Sequence, residues 1–211
     1  GVDALLVVRA IELLEKEMDL VMLPPFHYGS ASYAVAKPER RGTVHVDAQV
    51  VHGFARELFR SLLRVGFRNI HAVIHHQSEN FAAGMPTDLA LKFAGRQAIF
   101  EFIDRQRGEG WWGEQAMQDY YAEHAAGENP FNWIQVHPLL SEAVQKKYPI
   151  DHAGKQETSL MMAFCPEGVD MKRLSREMWF CRDSQEASLD YGRAAQREIL
   201  AALRNILKPS A

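Results

Sequence analysis

An α/β fold with a mainly parallel sheet is predicted from a helix, a strand and the polar residues that follow them. Apolar residues recur at helical spacing from Asp47 to Val65, and Gly66 is placed to end that helix. A short link then leads to the apolar run Ile70 to Ile74, which predicts a buried strand. A helix joined to a strand by a short link is typical of parallel sheets.

Apolar spacing predicts the remaining elements. Helices are expected, in chain order, at Gly1–Glu17, Thr87–Arg105, Ser141–Lys147 and Ser184–Leu207. Extended segments are expected at Asp19–Leu23 and Gly42–Val46, separated by a polar loop at Phe26–Arg41. We expect a right-handed crossover to join strand Asp19–Leu23 to strand Ile70–Ile74 within one parallel sheet that has helices on both faces.

Composition and charge exclude several classes of protein. The 211 residues, 47% hydrophobic and 24% charged, suit one domain with a full core over residues 1–211. A net charge of -3 gives no reason to expect a nucleic acid or an anionic membrane as partner. No apolar run approaches the roughly 20 residues of a membrane span. Cys165 and Cys181 lack metal-type spacing, which predicts free thiols in a reducing cytoplasm.

Two polar segments carry most of the candidate chemistry. His75 to Asn80 follows the predicted strand, where open α/β sheets place their ligand sites. Its imidazoles, amide and carboxylate indicate a metal site or a proton-transfer site, or else a polar loop that caps the next helix. Asp151 to Ser159 is the second segment, and an apolar run from Leu160 to Phe164 follows it.

Aromatic side chains suggest where a ligand could bind. Trp111 and Trp112 lie in a glycine-rich stretch, and Tyr28 and Ser30 lie in the long loop after Pro25. Loops of that length in compact domains are usually functional or partly disordered. Exposed aromatics in loops often serve a ligand or a subunit interface, although each could instead pack against its own domain.

These segments resemble the signatures of the creatininase family, the creatinine amidohydrolases and their relatives. GFRNI at Gly66–Ile70, followed by the strand and HHQSEN at His75–Asn80, resembles the family's G-F-R-x-I, strand and N-G-H-x-E-N. HAGKQETS at His152–Ser159 resembles H-A-G-x-x-E-T-S and is the most specific match. Looser matches are YGS at Tyr28–Ser30 with a later Gly42-Thr43, and GVD at Gly1–Asp3.

The resemblance implies a three-layer α/β/α sandwich with a two-metal hydrolase site, zinc or manganese, in a homohexamer. In such a site, paired ions polarise a carbonyl and activate a water. The implied small-molecule substrate is a cyclic amide, a formamide or a cyclic polyol ketone. By the same resemblance, Asp3 bridges the metals, Glu79 is a second carboxylate ligand, and His152 transfers protons with Glu157 nearby.

This chain also departs from the family pattern. Gln77 occupies the position of the family's metal-binding histidine, and an amide is a poor ligand for zinc or manganese. His75 or His76 would need a small register change to replace it. The family's E-x-H pair and N-terminal strand would precede Gly1, so we expect that they were either cut away or never there. Ser30–Ala34 also lacks the carboxylate and histidine of S-x-E-H. We therefore expect at most one weakly bound divalent ion.

Three hypotheses follow from these matches and departures. The first is a metal-dependent hydrolase of the creatininase type. The second is a non-catalytic member with a decayed metal site. The third is a metal-poor hydrolase with His152 as base, Glu157 as its orienter and Glu79 as a further carboxylate. For the first hypothesis, the expected catalytic residues are His152, Glu157 and Glu79. The expected metal-binding residues are Asp3, Glu79 and Gln77. The expected substrate-binding residues are Trp111, Trp112, Tyr28 and Ser30. We expect Asp3, Glu79 and His152 to gather at one end of the sheet, with Gln77 on the pocket wall.

Overall fold

The computed structural model describes residues 1–34, 44–127, 129–174 and 177–208. Its α-helices are α1 (Val2–Glu15), α2 (Ala48–Val65), α3 (Pro86–Arg107), α4 (Tyr120–Ala126), α5 (Glu142–Lys147), α6 (Lys155–Phe164) and α7 (Leu189–Leu207). Its strands are β1 (Ile70–Ile74) and β2 (Ile134–Pro138). Short 3₁₀ turns connect several of these elements.

β1 and β2 pair in parallel, which confirms the predicted α/β class. The Ile70 N–H donates to the Trp133 carbonyl at 2.9 Å, and the Leu139 N–H donates to the Ile74 carbonyl at 2.7 Å. The contacts advance in the same direction along both strands, as parallel pairing requires. Within the described ranges, the sheet consists of these two strands.

Helix α2 and strand β1 form where the sequence predicts them. The Asp47 carboxylate accepts the N–H of Gln49 at 2.8 Å and so caps α2. Gly66 ends the helix with φ +118°, in the left-handed region that residues with a side chain rarely adopt. The buried face of α2 consists of Val51, Ala55, Phe59 and Leu63. The link then leads directly into β1.

The chain divides into two compact units. The first unit comprises Gly1–His27, Val73–Ala82 and Pro138–Lys208, and the second comprises Tyr28–Ala72 and Ala83–His137. The core of the first unit includes Leu6, Leu14, Leu140, Leu160, Phe164, Ile199 and Leu203. The core of the second includes Phe59, Leu63, Ile70, Ile99, Ile103, Trp111 and Ile134. The single domain expected over residues 1–211 stays a prediction.

The predicted strand at Asp19–Leu23 does not form, so the predicted crossover from it to β1 is wrong. This segment has no regular structure, and 74% of Val21 and 40% of Leu23 are exposed. A strand needs a neighbouring strand to pair with, and among the described residues this segment has none. The parallel partner of β1 is instead β2, which the sequence did not reveal because its five residues follow an aromatic stretch without clear periodicity.

Two other predicted boundaries change. The last helix begins at Leu189 rather than at Ser184, because the Ser188 hydroxyl accepts the Tyr191 N–H at 3.3 Å and caps α7 there. The polar segment at Asp151 and the apolar run after it share one helix, α6. The extended piece expected at Gly42–Val46 and the loop expected at Phe26–Arg41 lie partly outside the described residues. Across the ranges that are described, no helix has the length and apolar character of a membrane span.

Candidate metal-binding site

Three elements of the first unit supply the candidate site. The first turn of α1 carries Asp3, the turn after β1 carries His75 and His76, and the first turn of α6 carries Glu157. One ligand atom each from Asp3, His75 and Glu157 lies within 4.8 Å of the others. We call these three residues the Asp3–His75–Glu157 cluster.

The turn after β1 has an unusual backbone. The Ser78 N–H donates to the His75 carbonyl at 3.0 Å and closes the turn. Gln77 has φ +54°, in the left-handed region, where a residue with a side chain costs roughly 1–2 kcal/mol. The Gln145 amide of α5 donates to the Ser78 carbonyl at 3.2 Å and so links this turn to α5. Strained backbone of this kind is commonly found at functional sites.

His75 and Glu157 form a buried pair at the centre of the cluster. His75 Nε2 lies 3.1 Å from Glu157 Oε1, and the two side chains are 3% and 9% exposed. The other oxygen of Glu157 accepts the Ala153 N–H at 2.6 Å. Both carboxylate oxygens therefore have a partner inside the protein.

Asp151 fixes the start of the helix that carries Glu157. Its carboxylate accepts the N–H groups of Gly154, Gln156 and Glu157 at 3.1, 2.9 and 2.9 Å. These donors lie at the N-terminus of α6, where the backbone N–H groups have no partner within the helix. A carboxylate there is stabilised by both hydrogen bonds and the helix dipole. The motif HAGKQETS, capped by the preceding Asp151, is thus a helix start that places Glu157.

Asp3 is the more accessible member of the cluster, with a side chain that is 51% exposed. Its Oδ2 lies 3.2 Å from Nδ1 of His76. Partial burial raises the Asp3 pKa, but the hydrogen bond from His76 and the charges of His75 and His76 outweigh it, and the pKa lies below its ordinary value. Asp3 is accordingly an anion at neutral pH, next to two imidazoles.

The other residues predicted for the metal and catalytic site lie outside the cluster. Glu79 is exposed, and its Oε1 accepts from the Asn80 amide at 3.3 Å. His152 is exposed, and its ring meets Phe180 edge-on at 4.9 Å. Gln77 Oε1 is buried, with no hydrogen-bond partner among the described residues. The catalytic and metal-binding roles of Glu79, His152 and Gln77 stay predictions.

The residues predicted to bind substrate belong to the second unit. Trp111 is buried, and its Nε1 donates to Asp104 at 2.6 Å. Trp112 is 51% exposed and meets Tyr120 edge-on at 6.0 Å. Ser30 is buried, and its hydroxyl donates to the Val46 carbonyl at 2.7 Å, whereas Tyr28 is 51% exposed. Their role in substrate binding stays a prediction.

His75 is the member of the cluster that the sequence did not assign to the site. Its position directly after a buried strand is typical of a ligand site. The family motif, however, places its metal-binding histidine at Gln77. His75 meets Glu157 across a separation of 82 residues in the chain. Only the packing of α6 beside the turn after β1 reveals that contact.

Comparison with known proteins identifies the family. A family model described as creatininase, creatinine amidohydrolase, matches residues 1–198. The chain belongs to the creatininase family.

Solved structures of that family share its fold. A crystal structure of creatinine amidohydrolase (creatininase) matches with a TM-score of 0.66 and 19% identity, over 99% of this chain and 83% of the other. A manganese form of creatininase matches with a TM-score of 0.65 and a mutant described as the Zn-Zn type with 0.63, both at 19% identity, over 99% of this chain and 84% of theirs. A search of curated proteins gave no match.

Proposed function

We propose that this creatininase-family chain is a metal-dependent amidohydrolase whose divalent ion binds at the Asp3–His75–Glu157 cluster. The observation that carries the proposal is this convergence of two carboxylates and an imidazole within 4.8 Å in one compact unit. Family membership supports hydrolysis as the type of reaction. The Zn-Zn and manganese forms of related structures support zinc or manganese as the ion.

The donor atoms of the cluster suit such an ion. Carboxylate oxygen and imidazole nitrogen are the usual protein ligands of zinc, and both also serve manganese. Nδ1 of His75 is buried and has no hydrogen-bond partner among the described residues, so it is available to a ligand. An ion bound there would supply polarisation of a substrate carbonyl and activation of water.

The protein's own groups prepare the site for this chemistry. Asp3 stays ionised at neutral pH and attracts a cation, while His76 holds its carboxylate in one orientation. The buried His75–Glu157 pair forms one wall of the site. We assign proton transfer to His152, because its exposed ring can reach solvent, whereas the ring of His75 is enclosed.

The proposed substrate is a small cyclic amide, with a formamide or a cyclic polyol ketone as the other candidates. Similar structures include a creatinine amidohydrolase and a creatininase complexed with creatine. We propose Glu79 and Gln77 as further polar groups at the site, and Trp111, Trp112, Tyr28 and Ser30 as substrate-binding residues. A cytoplasmic location and a homohexamer are proposed from the sequence and the resemblance.

Hydrolysis assays on metal-loaded protein test this function. Protein stripped of metal and reloaded with Zn²⁺ or Mn²⁺ is incubated with creatinine, other cyclic amides, formamides and cyclic polyol ketones. We expect turnover of at least one cyclic amide that depends on added metal and is lost in Asp3→Asn. Binding of a substrate without turnover in every loaded form would favour the non-catalytic hypothesis. Turnover that persists after metal removal would favour the metal-poor one.

A further inference from the structure

The two ring nitrogens of His75 have different surroundings. Nε2 lies 3.1 Å from Glu157 Oε1, while Nδ1 is buried without a hydrogen-bond partner among the described residues. The side chain is only 3% exposed, so bulk water does not compensate Nδ1. Leaving such an atom unpaired is costly, which is why an unpaired buried polar atom calls for a functional explanation.

The Glu157 carboxylate determines which nitrogen carries the proton. An ionised carboxylate accepts hydrogen bonds and cannot donate them. Oε2 already accepts the Ala153 N–H, and Oε1 faces His75 Nε2. When Glu157 is ionised, Nε2 therefore carries the proton and donates a hydrogen bond to Oε1. In a neutral imidazole, this leaves the lone pair of the other nitrogen, Nδ1, available to a ligand.

We propose that Glu157 is a positioning residue that fixes His75 as its Nε2–H tautomer, and that Nδ1 is the nitrogen of His75 that binds the divalent ion. The inference rests on the proposed function, because the ion is that of the proposed hydrolase. A metal-binding histidine commonly donates its other N–H to a carboxylate, which fixes its tautomer and its orientation. Glu157 already has an internal partner on each oxygen, whereas Nδ1 of His75 has none in the part of the chain that the structure describes.

A series of contacts from the start of α6 leads to His75. Asp151 caps the start of α6. The Ala153 N–H and the position of Glu157 on α6 orient its carboxylate, and that carboxylate orients His75. The charge of Glu157 then acts on the ion through the imidazole. Glu157 as a direct ligand is the competing arrangement, and it would require the ion to approach an oxygen that already accepts a hydrogen bond.

Nitrogen NMR of isotope-labelled histidine tests the tautomer in the wild-type protein. Spectra of the metal-free protein at a pH where imidazoles are neutral should show His75 with its proton on Nε2. On addition of Zn²⁺, the Nδ1 resonance should shift while Nε2 keeps its proton. A proton on Nδ1 in the metal-free protein, or a Zn²⁺-induced loss of the Nε2 proton, would overturn the proposal. The His75→Gln spectrum identifies the His75 signals.

Metal affinity of variants tests the role of Glu157. In Glu157→Gln we expect Zn²⁺ and Mn²⁺ to bind about 10- to 100-fold more weakly by calorimetry, the usual effect of removing a group that orients a metal-binding histidine. The metal-free variant should also show both His75 tautomers, because an amide can donate as well as accept. His124→Gln, at an exposed histidine of α4, is the control and should match wild type. Unchanged affinity together with an unchanged tautomer in Glu157→Gln would overturn the proposal.

The two proposals fail in different ways. Wild-type protein that binds Zn²⁺ through Nδ1 but hydrolyses no substrate would remove the proposed function and leave the assignment of His75 and Glu157 intact. Wild-type protein that hydrolyses a cyclic amide but binds Zn²⁺ through Nε2 would do the reverse. Thermal unfolding of each variant shows whether it is folded, and the wild-type spectra decide the tautomer even if Glu157→Gln does not fold.

Discussion

Histidines at the two ends of β1 have different partners. His71 uses both ring nitrogens inside the protein, since Nδ1 lies 2.9 Å from His137 Nε2 and Nε2 lies 2.8 Å from Asn69 Oδ1. His75, just past the strand, pairs one nitrogen with Glu157 and leaves Nδ1 unpaired among the described residues. The residue type is the same, but the number of satisfied nitrogens differs.

The partner determines what each imidazole can do. Burial lowers the pKa of His71, and burial together with the nearby His71 lowers the pKa of His137 to about 4. Both rings therefore stay neutral at physiological pH and exchange a hydrogen bond with each other. A ring whose two nitrogens are engaged cannot bind an ion without losing a bond. His71 accordingly supports the fold, and His75 remains available to a ligand.

Replacing each histidine should give the largest contrast. In His75→Gln we expect Zn²⁺ affinity to fall by more than the roughly 100-fold upper effect of losing an orienting group, because a ligand itself is removed. In His71→Gln we expect the affinity of wild type, because both of its nitrogens are engaged by other partners. Calorimetric titration of the metal-free proteins measures both. Equal losses in the two variants would abolish the distinction.

Gly192 tests the support beneath Glu157. A Cβ at Gly192 of α7 would lie 1.9 Å from the Ser159 carbonyl oxygen of α6, so the two helices must move apart in Gly192→Ala. Overpacking of this kind costs about 1–3 kcal/mol, and we expect that loss in the free energy of unfolding measured by urea denaturation. Zn²⁺ should also bind more weakly, since α6 carries Glu157. Wild-type stability in this variant would show that α6 tolerates displacement.

The His71–His137 pair should make the fold sensitive to acid. In the unfolded chain His137 has its ordinary pKa near 6.5, and in the fold its pKa is about 4, so the unfolded chain binds protons more readily between these values. Stability is therefore complete above pH 6.5 and falls as the pH drops towards 4, by about 1–2 kcal/mol after allowance for partial exposure. His137→Gln should reduce this slope in urea denaturation series. An unchanged slope, as expected for the control His124→Gln, would contradict the assignment.

Gly53 should give the smallest effect, and of opposite sign. It lies within α2, and a Cβ there would meet no described atom within 4 Å. Gly53→Ala should therefore raise the free energy of unfolding by about 0.5–1 kcal/mol, because alanine is the better helix former. Metal affinity should stay at the wild-type value. A destabilised Gly53→Ala would indicate that this exposed position requires glycine for another reason.

The sequence by itself determined the features of this protein that depend on neighbouring residues. The capped helix α2, its glycine stop and strand β1 follow from nearest neighbours and periodicity, and the structure has them where the sequence predicts them. The resemblance of HAGKQETS and GVD to family motifs directed attention to Glu157 and Asp3. Caps and apolar faces depend on residues within a few positions of one another, so they can be read without the rest of the chain.

Tertiary structure alone decided the pairings between distant segments. Asp19–Leu23 has strand-like composition, but no neighbouring strand pairs with it in the described part of the chain, whereas β2 finds β1 despite a weaker pattern. His75 became a candidate ligand only because α6 brings Glu157 to its Nε2 and the surrounding core buries its Nδ1. Burial and hydrogen-bond partners across 82 residues depend on packing, which no local pattern encodes.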